Sequence, residues 1–306
     1  MAHLIKLEDY ISRYQFDLNR YPSQYTRMKK EKWYYLKSEW EQLQYDSLNI
    51  NEKEVTEFMV EESQSFLKRL RQWMKGNRKE PEECLKGDNR LARMSLEQVR
   101  EEFLQELYYS QLRWASSSLL EESSLHPQYK RDKWLKFFAQ QVPDNFFLLY
   151  KPVFFIKRAP IELDIILISP TEIHCITLLN GHEHSVFEAS SDRFWTEFID
   201  ETRKKKISPL VSLSRMSGII KPILQDEQIV FPLKKIVLSP TSIIDNKMQG
   251  TNVEFIDKRT FATWAEKIRK HPSPIKHQQL KVTSLLLDFC DTASEDLEDE
   301  DENDPI

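Results

Sequence analysis

Two kinds of hydrophobic spacing divide this chain. Over roughly the first 125 residues, apolar positions recur at the three- and four-residue intervals of helices. Trp33, Leu36, Trp40 and Leu43 make one stripe. Val55, Phe58, Met59, Phe66, Leu70 and Trp73 make a second, opened by Asn51 with Glu54 three residues on, the spacing of a capping box. Ser95 and Gln98 repeat that spacing ahead of Val99, Phe103, Leu107 and Trp114. Between the second and third stripes, Gly76, Pro81 and Gly87 mark a loop. The pattern predicts a small helical bundle over 1–126.

After the serine-rich stretch at 116–127 the spacing changes. A short helix over 129–141 leads into apolar runs of strand length at 146–156, 161–168 and 173–179, rich in Ile, Leu and Phe. Asn180-Gly181 is a hairpin turn signal, with a return strand at 185–188. Helices are expected at 192–206 and 209–224, the second entered through Ser208 and Pro209. Strands at 235–238 and 253–256 and a helix at 260–270 close the pattern. The fold class read from this order is mixed α/β, with the strand-bearing domain at 127–275 and a C-terminal segment at 276–306.

Composition narrows the function classes. Five glycines, none closely spaced, cannot build a GxGxxG turn or a P-loop, so nucleotide-fold enzymes are not expected. The three cysteines are far apart and form no zinc spacing, which reads as isolated reduced thiols in a cytoplasmic protein. No apolar run reaches the ~20 residues of a membrane helix, and Lys6, Glu8 and Asp9 interrupt any export signal, so no membrane role is expected.

The net charge of -5 hides an asymmetry. Eight of the 49 acidic residues lie in the last thirteen positions, leaving 44 basic against 41 acidic residues in the body. Such a tail cannot bury enough apolar surface to fold, and its acidity would also let it compete for a basic groove on its own body. Basic residues cluster at Lys68, Arg69, Arg71 and Lys75, and again at Lys29 and Lys30, the latter interleaved with Tyr21, Tyr25, Trp33, Tyr34 and Tyr35. Basic side chains among aromatics suit a phosphate backbone with unpaired bases, whereas Glu31, Glu39 and Glu41 suit an ordinary solvated helix face.

Residues 129–270 resemble the NERD (nuclease-related) domain, a branch of the restriction-endonuclease-like PD-(D/E)xK superfamily. The resemblance rests on a helix with Trp134, Leu135 and Phe138, then NFFLLYKPVFF, ELDIILISPTEIHCITLLNG, SPLVSLSRMSGIIKPIL and PLKKIVLSP in the family's order. It implies a fold in which carboxylates on adjacent strands hold Mg²⁺ and a lysine two residues beyond the second carboxylate orients the attacking water.

Mapped onto this chain, Asp164 takes the first ligand position with Glu162 beside it. The carboxylate and lysine positions hold Thr177 and Leu179, and Ser212 stands where the family carries glutamine. Asp132 is the stand-in for an acid of the first helix. The site therefore reads as degenerate, with Asp164 and Glu162 a remnant. Two rescues stay open: migration of the chemistry to Glu172, Lys157 or Arg158, and a different metal site from His174, His182 and His184.

The resulting expectation is a catalytically degenerate nuclease-like protein acting as a nucleic-acid-associated binding or adaptor protein, with DNA or RNA bound without sequence preference. No cofactor is expected, with Mg²⁺ or Mn²⁺ entering only if the site is active. The alternatives are an active Mg²⁺-dependent nuclease with a rearranged site and a scaffold whose partner is another protein.

Overall fold

A computed structural model describes residues 1–49, 88–118, 123–248, 250 and 252–292. The second helical stripe, the loop after it, Cys84 and the acidic tail lie outside the described residues, as do Lys68, Arg69, Arg71 and Lys75. The class is mixed α/β, as the spacing predicts.

The chain divides into two units, 1–26 with 106–306, and 27–105. This differs from a boundary at 126, because the first residues are a strand. β1 (His3–Leu7) is buried along its whole length and pairs in parallel with β2 (Phe147–Tyr150). The helical reading of the N-terminus missed it because five residues are too few to reveal a period.

The larger unit is built on a six-stranded sheet ordered β1-β2-β5-β6-β10-β12. β5 (Ile165–Ile168) runs antiparallel to β2, and β6 (Ile173–Leu178) antiparallel to β5. β10 (Leu233–Ser239) then joins parallel to β6, and β12 (Val253–Asp257) parallel to β10. The apolar run at 146–156 does not stay in one strand. At Lys151 φ is +50°, and Pro152 follows, so the chain leaves the sheet. It forms a separate hairpin, β3 (Val153–Ile156) with β4 (Ala159–Glu162), whose tip is Lys157 and Arg158 at φ +50° and +66°.

Both faces of the large sheet are covered, which is why its strands read as continuous apolar runs. Leu148, Tyr150, Ile165, Leu167 and Ile176 pack with Leu135 and Phe138 of α3 (Lys133–Gln141) and Trp264 of α5 (Phe261–Arg269). On the other face, Leu149, Ile166, Cys175 and Val237 pack with α4 (Pro209–Asp226) and α6 (His277–Asp288). α4 starts at Ser208, whose hydroxyl accepts the Leu210 N–H, and it buries Leu213, Met216, Ile220, Ile223 and Leu224. Each such side chain contributes about 1.5–3 kcal/mol.

The largest correction falls at 192–206, where a helix is expected. The structure has a β-hairpin: β8 (Phe194–Ile199) and β9 (Thr202–Ile207), turning at Asp200 with φ +49°. Phe, Trp, Thr and Ile dominate β8, and side chains of this kind fit a pleated surface. Trp195 and Glu197 face inward while Phe194 points out, the period of two that marks a half-buried strand.

β8 and β9 belong to a second sheet ordered β11-β7-β8-β9, with β7 (Val186–Ala189) and β11 (Ile243–Asn246). Asn180-Gly181 is accordingly no hairpin turn, since β6 and β7 lie in different sheets. Gly181 is needed for close approach: a Cβ there would sit 2.2 Å from Ser242 Oγ and 2.6 Å from the Phe187 ring.

The smaller unit is described for parts of two helices and the turn between them. α1 (Arg20–Asn49) and α2 (Leu96–Trp114) both extend beyond it in sequence, and a single helical turn occupies Asp88–Leu91. Trp40 Nε1 donates to the Met94 carbonyl at 2.8 Å, and the Trp33 and Phe103 rings lie 5.2 Å apart. The capping box forms as read, with Ser95 N–H donating to Gln98 Oε1 and Gln98 N–H to Ser95 Oγ.

Candidate functional site

Asp164 stands at the entrance of β5, where the hairpin β3–β4 rejoins the large sheet. Its carbonyl accepts the Lys151 N–H, and the Leu163 N–H donates to Pro152. The antiparallel register sets Ile165 opposite Ile176, so the next pair along is Asp164 and Thr177. Their side chains meet there: Thr177 Oγ1 donates to Asp164 Oδ2 at 2.6 Å. Thr177 is buried and Asp164 half-buried. The two positions that the sequence assigned to metal-ligand strands are thus true neighbours. Leu179, two residues beyond Thr177, is buried in the apolar cluster on the α4 side of the sheet.

Glu162 does not complete this pair. It is exposed and belongs to the β3–β4 hairpin, opposite Val153. The oxygens assembled at the strand ends are therefore one carboxylate and one neutral hydroxyl whose proton points at that carboxylate. A hard dication such as Mg²⁺ takes near-octahedral oxygen coordination and is bound through carboxylates and substrate phosphates. The residues present do not fit it, because they offer a single carboxylate, and the neighbouring hydroxyl spends its proton on one oxygen of that carboxylate.

The other residues singled out by sequence are dispersed. Asp132 caps α3: Oδ1 accepts the Trp134 and Leu135 N–H groups, and Oδ2 accepts the Tyr150 hydroxyl at 2.8 Å. Tyr150 pairs with Ile165, whose side chain faces opposite to that of Asp164 by strand alternation. Glu172 is bound to His174 Nε2 at 2.9 Å, at the other end of β6 from Thr177. His174 hydrogen-bonding first of all, with lesser help from Lys234, holds the Glu172 carboxyl below its usual range against the cost of burial. Lys157 and Arg158 occupy the exposed hairpin tip. His182 and His184 part company, the first contacting Glu197 and the second sitting 2.9 Å from Lys258 Nζ. Among the described residues, no three His, Cys, Asp or Glu side chains converge as a cation-binding group. Ser212 lies on α4, its hydroxyl 3.5 Å from the Arg215 guanidinium.

Of the basic cluster in the smaller unit, Lys29 is half-buried and Lys30 exposed. Arg27 is paired with Glu31 at 2.7 Å, and Lys37 with Glu41 at 3.4 Å, as the intervening acids suggest. The aromatics between them divide. Tyr21 and Tyr25 are buried, Tyr25 donating its hydroxyl to the Leu107 carbonyl, whereas Tyr34 and Tyr35 are exposed.

Three features escaped the sequence reading. Glu197, on β8, has a side chain with no exposure, and its Oε1 accepts the His182 N–H at 2.7 Å. Lys206 Nζ reaches its other oxygen at 3.1 Å and also donates to the Asn180 carbonyl. Burial pushes this carboxyl up, but the hydrogen bonds from the His182 backbone, Lys206, Ser185 and the His182 ring outweigh it and hold the pKa at about 2. Glu197 fixes the crossover after β6 to the second sheet.

Lys6 is buried in β1 with Nζ donating to the Tyr10 carbonyl at 2.6 Å and to Thr292 Oγ1 at 3.2 Å. Burial pulls its pKa down to about 8. Third, the run Arg203-Lys204-Lys205-Lys206 lies along β9, the outermost strand of the second sheet. Alternation within the correct strand pairing would have found it; the helical reading of 192–206 concealed it.

Cys175 and Cys290 are free thiols, and burial pushes each up to about 12. Among the described residues no helix is long and apolar enough to cross a membrane. No family model and no solved structure matches the chain. Among curated proteins it is similar to an RNA 2',3'-cyclic phosphodiesterase of Geobacillus stearothermophilus, 28% identical over 110 residues. That match covers 35% of this chain, which spans about a third of the relative's length.

Proposed function

We propose that this chain is a nuclease-like scaffold that has lost its catalytic groups and serves by binding nucleic acid. The observation that carries the reading is the Thr177–Asp164 hydrogen bond of 2.6 Å, with Leu179 buried two residues on. In a metal-dependent nuclease of the NERD type, which the sequence resembles, the positions of Asp164, Thr177 and Leu179 would carry two carboxylates and a lysine. They hold one carboxylate, one hydroxyl and one apolar side chain. An attacking water would have neither a second acid to bind a metal nor a cation to stabilise charge building on phosphorus.

The strand connectivity supports the scaffold half of the reading. A helix, three antiparallel strands, a helix and a parallel strand follow in order as α3, β2, β5, β6, α4 and β10, with the β3–β4 hairpin and the three strands β7, β8 and β9 inserted. The partial similarity to an RNA phosphodiesterase supports a nucleic-acid partner and gives a second reading its observation, a phosphoesterase acting on RNA ends.

The test is to incubate the purified chain with single- and double-stranded DNA and RNA, and with an RNA ending in a 2',3'-cyclic phosphate, in Mg²⁺ or Mn²⁺, alongside Asp164→Ala. Retention of intact substrate together with salt-sensitive binding is the expected outcome. Cleavage that disappears in Asp164→Ala would restore the nuclease. Opening of the cyclic phosphate alone would favour the second reading, and no binding to any substrate would leave the protein-scaffold alternative.

A further inference from the structure

The outer face of β8–β9 presents a second kind of surface, unrelated to the strand ends around Asp164. Because strand side chains alternate, Arg203, Lys205 and Ile207 share one face of β9. Register sets them opposite Phe198, Thr196 and Phe194 on β8. Phe194 is 48% exposed and Ile207 63% exposed, an apolar pair left in solvent beside cations. The Arg203 guanidinium lies 5.2 Å from the centroid of the Phe198 ring, and that of Arg193 lies 5.9 Å from the Phe194 ring.

Among the described residues, no ion pair ties Arg193, Arg203 or Lys205 to a carboxylate. The nearest acid on the neighbouring strand, Glu188, is held by Lys247 at 2.9 Å. Lysines on an edge strand commonly guard against strand addition. That role accounts for the charges but not for the exposed Phe194–Ile207 pair or for arginines laid over rings.

We propose that this face, formed by Arg193, Phe194, Phe198, Arg203, Lys205 and Ile207, is a platform for single-stranded nucleic acid. The cations would track the phosphates while the exposed Phe194 ring stacks on an unpaired base, with half-buried Phe198 behind Arg203. Charge complementarity chooses the occupant: a polyanion with flat apolar groups at each repeat satisfies both the basic and the aromatic components. A duplex, whose bases are stacked internally, would satisfy only the first. The inference rests on the nucleic-acid part of the proposed function and is indifferent to whether Asp164 supports cleavage. It also moves binding away from Lys29 and Lys30.

The experiment is fluorescence anisotropy of labelled 15-nucleotide RNA and DNA, as single strands and as the corresponding duplexes, titrated over a range of salt. The full chain is compared with Arg203→Ala/Lys205→Ala, Phe194→Ala and Lys29→Ala/Lys30→Ala, and thermal unfolding checks that each variant is folded. The β9 double variant is expected to bind at least tenfold more weakly. The slope of log K against log salt should flatten by about 1.4, two phosphate contacts at ~0.7 each. Phe194→Ala should weaken binding severalfold with the slope unchanged, and it carries the test should the double variant not fold. Lys29→Ala/Lys30→Ala should stay within twofold.

Wild-type binding that neither β9 nor Phe194 variants reduce would overturn the platform and leave the nucleic-acid reading standing. Preference for duplex over single strands would overturn it likewise. No binding by the wild type would remove both.

Discussion

The strand ends around Asp164 and the outer face of β8–β9 are opposites. The first has geometry without chemistry: neighbouring strands bring Asp164 and Thr177 to 2.6 Å, but only one of the two can carry charge. The second has chemistry without enclosure: arginine, lysine and aromatic side chains stand on an open edge with no carboxylate partner among the described residues. The Thr177–Asp164 hydrogen bond joins β5 and β6 where β5 begins, at lower electrostatic cost than two facing acids would carry.

The sharpest way to break this contrast is to place a cation at the strand ends. Leu179→Lys places an ammonium in the apolar cluster beneath α4 and should cost roughly 3–5 kcal/mol in chemical denaturation. If the variant is nearly as stable as wild type, Leu179 sits in a site built for charge, and the strand ends are nearer to function than their residues suggest.

A smaller effect is expected at Glu197→Gln. The change removes the charge that holds Lys206 and the crossover and should cost about 1–3 kcal/mol. It also has a pH signature. The folded pKa of about 2 lies below the unfolded carboxyl value of ~4.3, so this stabilisation is complete above ~4.3 and is lost as pH falls toward 2. Unfolding followed against pH should show a shallower acid limb in Glu197→Gln than in wild type.

Removing the strand-end hydrogen bond is milder still. Thr177→Val keeps the shape and deletes one donor, at about 0.5–1.5 kcal/mol, because half-buried Asp164 can turn to water. Arg203→Ala/Lys205→Ala should change stability least, within about 0.5 kcal/mol, since both side chains are exposed. That pair of results, a structural cost at Thr177 and none at β9, would set the two regions apart by stability alone.

Legibility of the fold in the sequence follows the same division. β5, β6 and β10 were readable because strands buried on both faces give unbroken apolar runs bounded by Pro and Asn. Ser208-Pro209 announced α4 because capping chemistry is local. The 192–206 segment reads as a helix and not as a hairpin, since its inward residues include a charged one. Glu197 is tolerated inside only because Lys206 and the His182 N–H reach it, partners 9 and 15 residues away. β1 was hidden for a related reason: its pairing with β2 joins residues more than 140 positions apart, and a buried Lys6 argues against a core strand until Tyr10 and Thr292 are seen to satisfy it.

At the candidate site, the resemblance set Asp164 and Thr177 on adjacent strands, and alternation set Leu179 on the same strand face as Thr177; the hydrogen bond at 2.6 Å joins the first two. Alternation could not exclude Glu162, because the break at Lys151-Pro152 that puts Glu162 in another hairpin depends on tertiary packing.

One gel tests the central claim most directly. End-labelled single-stranded RNA is incubated with the full chain in Mg²⁺ and resolved both native, for binding, and denaturing, for length. The account predicts a retarded band whose RNA remains full-length after prolonged incubation, with Asp164→Ala indistinguishable from wild type. Shortened RNA in the wild-type lane, absent with Asp164→Ala, would contradict it.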